Sequence, residues 1–147
     1  MSDIRIQRED FDPGGELAAL STSTGDVGAI ASFIGICRAD DGMRAMTLDH
    51  YPGFAEREIQ THVAEAKSRW PLLGVRIVHR VGRLTPGQRI VFVGVASRHR
   101  GAAFAACEFL MDYLKTRAPF WKLEERESGS TWVEARESDD ERATRWR

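Results

Sequence analysis

Apolar residues along this chain alternate between two spacings, and the boundaries between them predict its elements. The run VGAIASFIGIC, Val27 to Cys37, is almost continuously apolar and rich in β-branched residues, which predicts a buried strand. The polar turn ADDG follows. AMTLDHY, Ala45 to Tyr51, is predicted to be its partner, forming a hairpin with Arg38 at its mouth. Between Phe54 and Trp70 the residues Ala55, Ile59, Val63, Ala66 and Trp70 recur at helical spacing, Glu56, Arg57, Glu58 and Lys67 fall elsewhere, and Pro71 ends an amphipathic helix. VRIVHRVG (Val75 to Gly82) and RIVFVGVAS (Arg89 to Ser97) are joined by the turn signal Thr85-Pro86-Gly87, which predicts a second hairpin whose latter strand is apolar enough to be central. Phe104, Cys107, Met111 and Leu114 mark one face of a helix from about Gly101 to Arg117 that must stop before Pro119. PFWKLEE then reads as a strand, Glu127 to Ser130 as a turn, and TWVEA as a last strand before a charged tail. A short strand, Ile4 to Gln7, and a helix near Glu16 open the chain.

From Ala45 to Glu124 the order is strand, helix, strand, strand, helix, strand, the split βαβ order of ferredoxin-like sheets. The fold class is α+β. Such a topology hosts many unrelated functions, so residues at a site must decide what the protein does.

Composition narrows the choices. With 147 residues, 42% of them hydrophobic, the chain is sized for a single domain over residues 1–147 with one core. Lys plus Arg number 21 against 22 Asp plus Glu, and the pI is near 6.4, so no electrostatic footprint points to nucleic acid or an anionic membrane. Any anion site is therefore local. No apolar run approaches the ~20 residues that span a bilayer, and MSDIRIQRED lacks the basic start and apolar stretch of a secretory signal, so a cytoplasmic protein is expected. Cys37 and Cys107 form no CxxC and have no Cys/His spacing suited to zinc; neither a disulfide nor a metal nor a cofactor is expected.

The candidate chemistry is cationic. Pro119 puts Lys115 in the last turn of one helix and Lys122 on the strand that follows, and consecutive elements usually pack side by side, so the two amines can converge. One reading makes Lys115 a cation complementing the helix dipole and Lys122 an exposed strand lysine. The other takes Phe120 and Trp121 as apolar company that desolvates an amine and lowers its pKa toward the range of proton transfer or nucleophilic attack. A second cluster, Ser97-Arg98-His99-Arg100-Gly101, lies between a buried strand and a helix N-terminus, where backbone N–H groups and arginine forks can hold a phosphate; a solvated basic loop is the alternative. Arg38 completes a set of five with His99, Arg100, Lys115 and Lys122. No carboxylate pair, Ser-His-Asp order or glycine-rich nucleotide loop competes with it, and the DDG at Asp40 is too short a match for an EF-hand. A helix from Gly101 to Arg117 sets His99 and Lys115 roughly 20 Å or more apart at ~1.5 Å per residue. Either they serve different sites, or a second copy of the chain supplies the His99/Arg100 end across a two-fold interface.

These segments resemble the large, catalytic subunit of molybdopterin synthase. FIGICR, LDHYPGFAE, RWPL, VHRVGRLTPGQRIVFVGVASRHR, FLMDYLKTRAPFWK and WVEARES carry the resemblance, in order and over nearly the whole chain. What it implies is sulfur transfer: cyclic pyranopterin monophosphate (precursor Z) becomes molybdopterin by gaining the two sulfurs of a dithiolene. Each sulfur arrives as a thiocarboxylate on the C-terminal Gly-Gly of a small ubiquitin-like subunit. The implied assembly is a heterotetramer built on a homodimer of large subunits, and the implied fold an α/β hammerhead. On matching positions the essential lysines fall on Lys115 and Lys122, the substrate arginine on Arg38, and a His-Arg pair on His99 and Arg100. Ile36, Cys37, Met43, Leu123 and Glu124 flank these positions and line the corresponding segments. Many relatives follow the arginine with Asn-His-Asn, whereas Ala39-Asp40-Asp41 stands here. Two rival readings are a non-catalytic subunit that only docks a Gly-Gly tail, and an enzyme acting on another phosphate ester.

Overall fold

From Val91 to Ser97 every residue of one strand is buried, so that strand needs neighbours at both edges and a layer on each face. It is the sixth of eight. In chain order the computed structural model, which describes residues 1–133 and 137–146, contains β1 (Ser2–Gln7), α1 (Pro13–Ser21), β2 (Ala29–Ile36), a 3-10 turn (Asp40–Gly42), β3 (Ala45–His50), α2 (Phe54–Arg69), β4 (Leu72–Arg80), β5 (Gly82–Leu84), β6 (Arg89–Ser97), α3 (Arg100–Thr116), β7 (Phe120–Arg126), β8 (Gly129–Val133) and α4 (Glu137–Thr144). They build two four-stranded sheets, ordered β1-β4-β6-β2 and β5-β3-β7-β8. The first is mixed, since β1 runs parallel to β4 while the other pairs are antiparallel; the second is antiparallel throughout. The α+β class is as the sequence predicts.

Helices cover both faces of the first sheet. Ile59, Val63 and Ala66 of α2, with Ala106 and Leu110 of α3, pack on Val91, Val93 and Val95. The alternate residues Phe92 and Ala96 point the other way, onto Leu20 of α1 and Phe11. Gly94 is required at this layer: a Cβ there would lie 2.6 Å from Leu20 Cδ1, so α1 could not approach. Asp12 caps α1 by accepting from the Gly14 N–H at 3.2 Å, with Pro13 at the first helical position. Cys37, Met43, Met46, Leu48 and Leu84 form a smaller core under the second sheet.

Two expectations about strand pairing are corrected. β2 does not form a hairpin with β3; it pairs with β6, from Ala29 opposite Ser97 to Ile36 opposite Arg89, while β3 joins β5 and β7 in the other sheet. Residues 37–44 cross from one sheet to the other, too long a path for a tight turn. The single ferredoxin-like sheet is therefore absent: β4 and β6 stay in the first sheet, and β3 and β7 leave it. Nor is β2 a fully buried strand. Ser32, Phe33, Ile34 and Ile36 are exposed along the sheet's edge.

The β4/β6 pairing does match, with Val75 opposite Val95 and His79 opposite Val91. Between them the chain visits the second sheet as β5, entering at Gly82 with φ 89°. Lys115 sits at the end of α3, and that end is tethered: Trp146 Nε1 and Arg145 donate to the buried Asp112 carboxylate at 2.5 and 2.9 Å, and the Trp146 ring packs edge-on against Phe109 and Trp70. Part of the predicted last strand, Glu134 and Ala135, lies outside the described residues.

Candidate functional site

The seam between the two sheets opens into a cavity of about 870 Å³. Its geometry follows from one helix stop. The N–H groups of Arg117 and Ala118 both donate to the Tyr113 carbonyl, at 2.9 and 3.1 Å, closing α3; Pro119 then turns the chain into β7, antiparallel to β3. Lys115 and Lys122 consequently face the same space, with the floor supplied by Ile90 and Val91 of β6 and the far wall by Met46 and Leu48. Arg38 enters from the segment that follows β2.

Of the residues expected at a site, Arg38, Lys115 and Lys122 share this cavity, together with Ile36, Cys37, Met43 and Glu124. Leu123 is not among its walls: side chains alternate along β7, and Lys122, Glu124 and Arg126 take the cavity side. His99 and Arg100 are not there either. They are exposed at the N-terminus of α3, about 24 Å along the helix from Lys115 at ~1.5 Å per residue. Within the Ser97–Gly101 cluster, Ser97 Oγ donates to the Pro71 carbonyl at 2.9 Å and Arg98 pairs with Asp26 at 3.1 Å.

Charge in the cavity is organised around a carboxylate. Lys122 Nζ lies 3.2 Å from Glu124 Oε2, and Arg126 Nη2 lies 2.7 Å from Glu124 Oε1. Burial alone would push the Glu124 carboxyl up, but the hydrogen bonds and charges of Lys122 and Arg126 outweigh it and hold the group below its ordinary range. Arg38 pairs with Asp40 at 2.7 Å. Burial raises the Cys37 thiol, with Lys122 opposing, so it is held as a neutral buried thiol against the Leu84 carbonyl rather than as a thiolate.

Sequence reasoning missed several wall residues. His79 is buried, its ring stacked 4.1 Å from Phe120, with the Nδ1 proton committed to the Arg80 carbonyl at 2.9 Å. Burial first, opposed by that hydrogen bond and aided by the Lys115 charge, lowers its pKa from 6.5 to about 4, so the ring is neutral at pH 7. A histidine within an apolar strand carries no signal that separates it from core. Trp121 and Trp132 border the mouth, and Arg126 could have been found by extending the alternation Lys122, Glu124 one step further.

Such a cavity can neutralise an anionic small molecule with fixed cations while apolar walls exclude part of the water. No His, Cys, Asp and Glu group that could hold a metal occurs among the described residues. The family model described as MoaE protein matches residues 6–117. The chain belongs to the MoaE family. Its relatives include the molybdopterin synthase catalytic subunit of Mesorhizobium japonicum, 55% identical over 98% of this chain and 92% of the relative. That of Pseudomonas aeruginosa is 54% identical over 97% of each. The solved molybdopterin biosynthesis MoaE protein from Burkholderia ambifaria superposes with a TM-score of 0.86 at 52% identity, covering 99% of this chain and 98% of that one. Lys122 and Glu124 lie beyond the segment matched by the MoaE model but within reach of these nearly full-length relatives. None of the four helices is long and apolar enough, among the described residues, to cross a membrane.

Proposed function

We propose that the seam cavity is where this MoaE-family chain, as the catalytic subunit of a molybdopterin synthase, transfers sulfur to precursor Z. The observation that carries the reading is the meeting of Arg38, Lys115 and Lys122, from three separate segments, in one cavity. The substrate brings a cyclic phosphate that must open, and the donor brings an anionic thiocarboxylate, so both charges develop beside fixed cations. Lys115 acts as general acid/base or transient nucleophile, Lys122 orients substrate and thiocarboxylate, and Arg38 holds phosphate. The sulfur comes from the C-terminal Gly-Gly tail of a small ubiquitin-like partner subunit, which leaves as a carboxylate after water hydrolyses the acyl group from the transferred sulfur; Cys37 is not a relay. The relatives' designation as a catalytic subunit supports a multi-subunit enzyme.

His99 and Arg100 join the site from a second copy of the chain. The exposed apolar edge of β2, with Phe33, Ile34 and Ile36, and the exposed Phe104 on α3 support a homodimer, since a monomer would leave an unpaired strand edge in water. The reaction takes place in the cytoplasm. Reconstitution with precursor Z and the thiocarboxylated partner tests the reading: dithiolene product is expected, and a complex that forms without turnover would leave only a docking role.

A further inference from the structure

The residue that joins the two halves of the cavity is not one of its proposed reacting groups. Arg126 ends β7, and its guanidinium reaches in two directions: Nη1 donates to the Asp40 carbonyl at 2.9 Å and Nη2 to Glu124 Oε1 at 2.7 Å. Each acceptor residue is itself attached to a cation of the proposed site. Asp40 Oδ2 lies 2.7 Å from Arg38 Nη2, and Glu124 Oε2 lies 3.2 Å from Lys122 Nζ. An unbroken run of contacts therefore links Arg38, Asp40, Arg126, Glu124 and Lys122, crossing from the segment after β2 to the strand of the second sheet. A planar guanidinium can serve two acceptors at fixed angles, whereas an ammonium on a flexible stem is a point charge without that geometry. Arg126 is more buried than either Arg38 or Lys122, with side-chain exposure of 29% against 65% and 37%.

We propose that Arg126 is a positioning residue: it ties the segment bearing Arg38 to the strand bearing Lys122 and so sets the gap that an anionic substrate must fit. The inference rests on the seam cavity being the precursor Z site. Arg126 acts through Arg38, because its fork is occupied by protein acceptors, and its removal releases the Asp40 turn on which the Arg38 guanidinium is held.

The test uses the assembled synthase, full chain with thiocarboxylated partner, and reads equilibrium binding of precursor Z together with KM and kcat. Arg126→Ala should weaken binding about tenfold, the scale of a charge-assisted hydrogen bond partly open to water, with kcat within about threefold of wild type. Arg126→Lys keeps the charge and the fold but not the fork, and should lose nearly as much. In an Arg38→Ala background the further change Arg126→Ala should cost less than about twofold, since coupled residues are not additive. Wild-type affinity in Arg126→Lys, a full additional tenfold loss in the double variant, or a fall in kcat at unchanged affinity would each overturn the proposal. Arg38→Ala separates the two levels: if it alone leaves binding unchanged, the cavity reading fails, whereas a loss for Arg38→Ala with none for Arg126→Ala sinks only the tie.

Discussion

Mixed dimers of two inactive variants test the composite site most directly. Lys115→Ala removes the amine at the C-terminal end of α3 and Arg100→Ala the guanidinium at its N-terminal end, about 22 Å away by helix rise, so no small substrate touches both in one chain. In a two-fold dimer each site would take Lys115 from one protomer and Arg100 from the other. A dimer holding one chain of each variant then contains one site with both lesions and one with neither. Random exchange at equal amounts makes about half of all dimers of this mixed kind, so activity should return to about a quarter of wild type. The assay is dithiolene formation after co-refolding or subunit exchange, with each pure variant as baseline. Activity that stays at the sum of the two baselines, under conditions where labelled chains demonstrably exchange, would refute shared sites.

Three further outcomes are expected. Lys115→Ala should lower single-turnover sulfur transfer by on the order of 10²-fold or more, the usual scale for a proton-transfer group, and a loss of only a few fold would remove it from that role. Cys37→Ser should turn over normally, because the buried thiol is not a sulfur carrier; accumulation of a persulfide or a dead enzyme would contradict this. His79 has a folded pKa of about 4, below its ordinary 6.5, so the unfolded chain takes up the proton first. Stability present above about pH 6.5 should fall as the pH drops toward 4, by up to about 3 kcal/mol. Denaturant titrations across that range should show the slope in wild type and a flatter one in His79→Phe, which keeps the ring on Phe120.

Helices were legible because their apolar spacing is a property of one segment: α2 and α3 fall within a residue or so of where Phe54–Trp70 and Gly101–Arg117 place them. Sheet partnership was not, because alternation or an apolar run says that a strand is covered and not by what. The apolarity of VGAIASFIGIC predicts a buried strand, yet it is an edge whose Phe33, Ile34 and Ile36 are exposed, and apolarity alone does not separate an exposed strand edge from core. That Lys115 and Lys122 can converge follows from Pro119 together with the side-by-side packing of consecutive elements, and both line one cavity. Glu124 takes the cavity side of β7 and Leu123 the other, a distinction that two-residue alternation makes once the strand's cavity side is known. Alternation reaches Arg126, but the link it makes emerges only when the sheets are placed, since its acceptors Asp40 and Glu124 lie far apart in the chain.

The chain passes between its two sheets at Gly82, whose φ of 89° would strain any residue that carries a side chain. One sheet supports the helix that carries Lys115, and the other carries Lys122, so the orientation of one sheet against the other is also the calibration of the amine pair. A lesion at this joint would leave both cores largely intact and the protein well folded, while detuning the pocket. Poor catalysis by a stable variant would then have its origin in the frame and not in a group that meets the substrate.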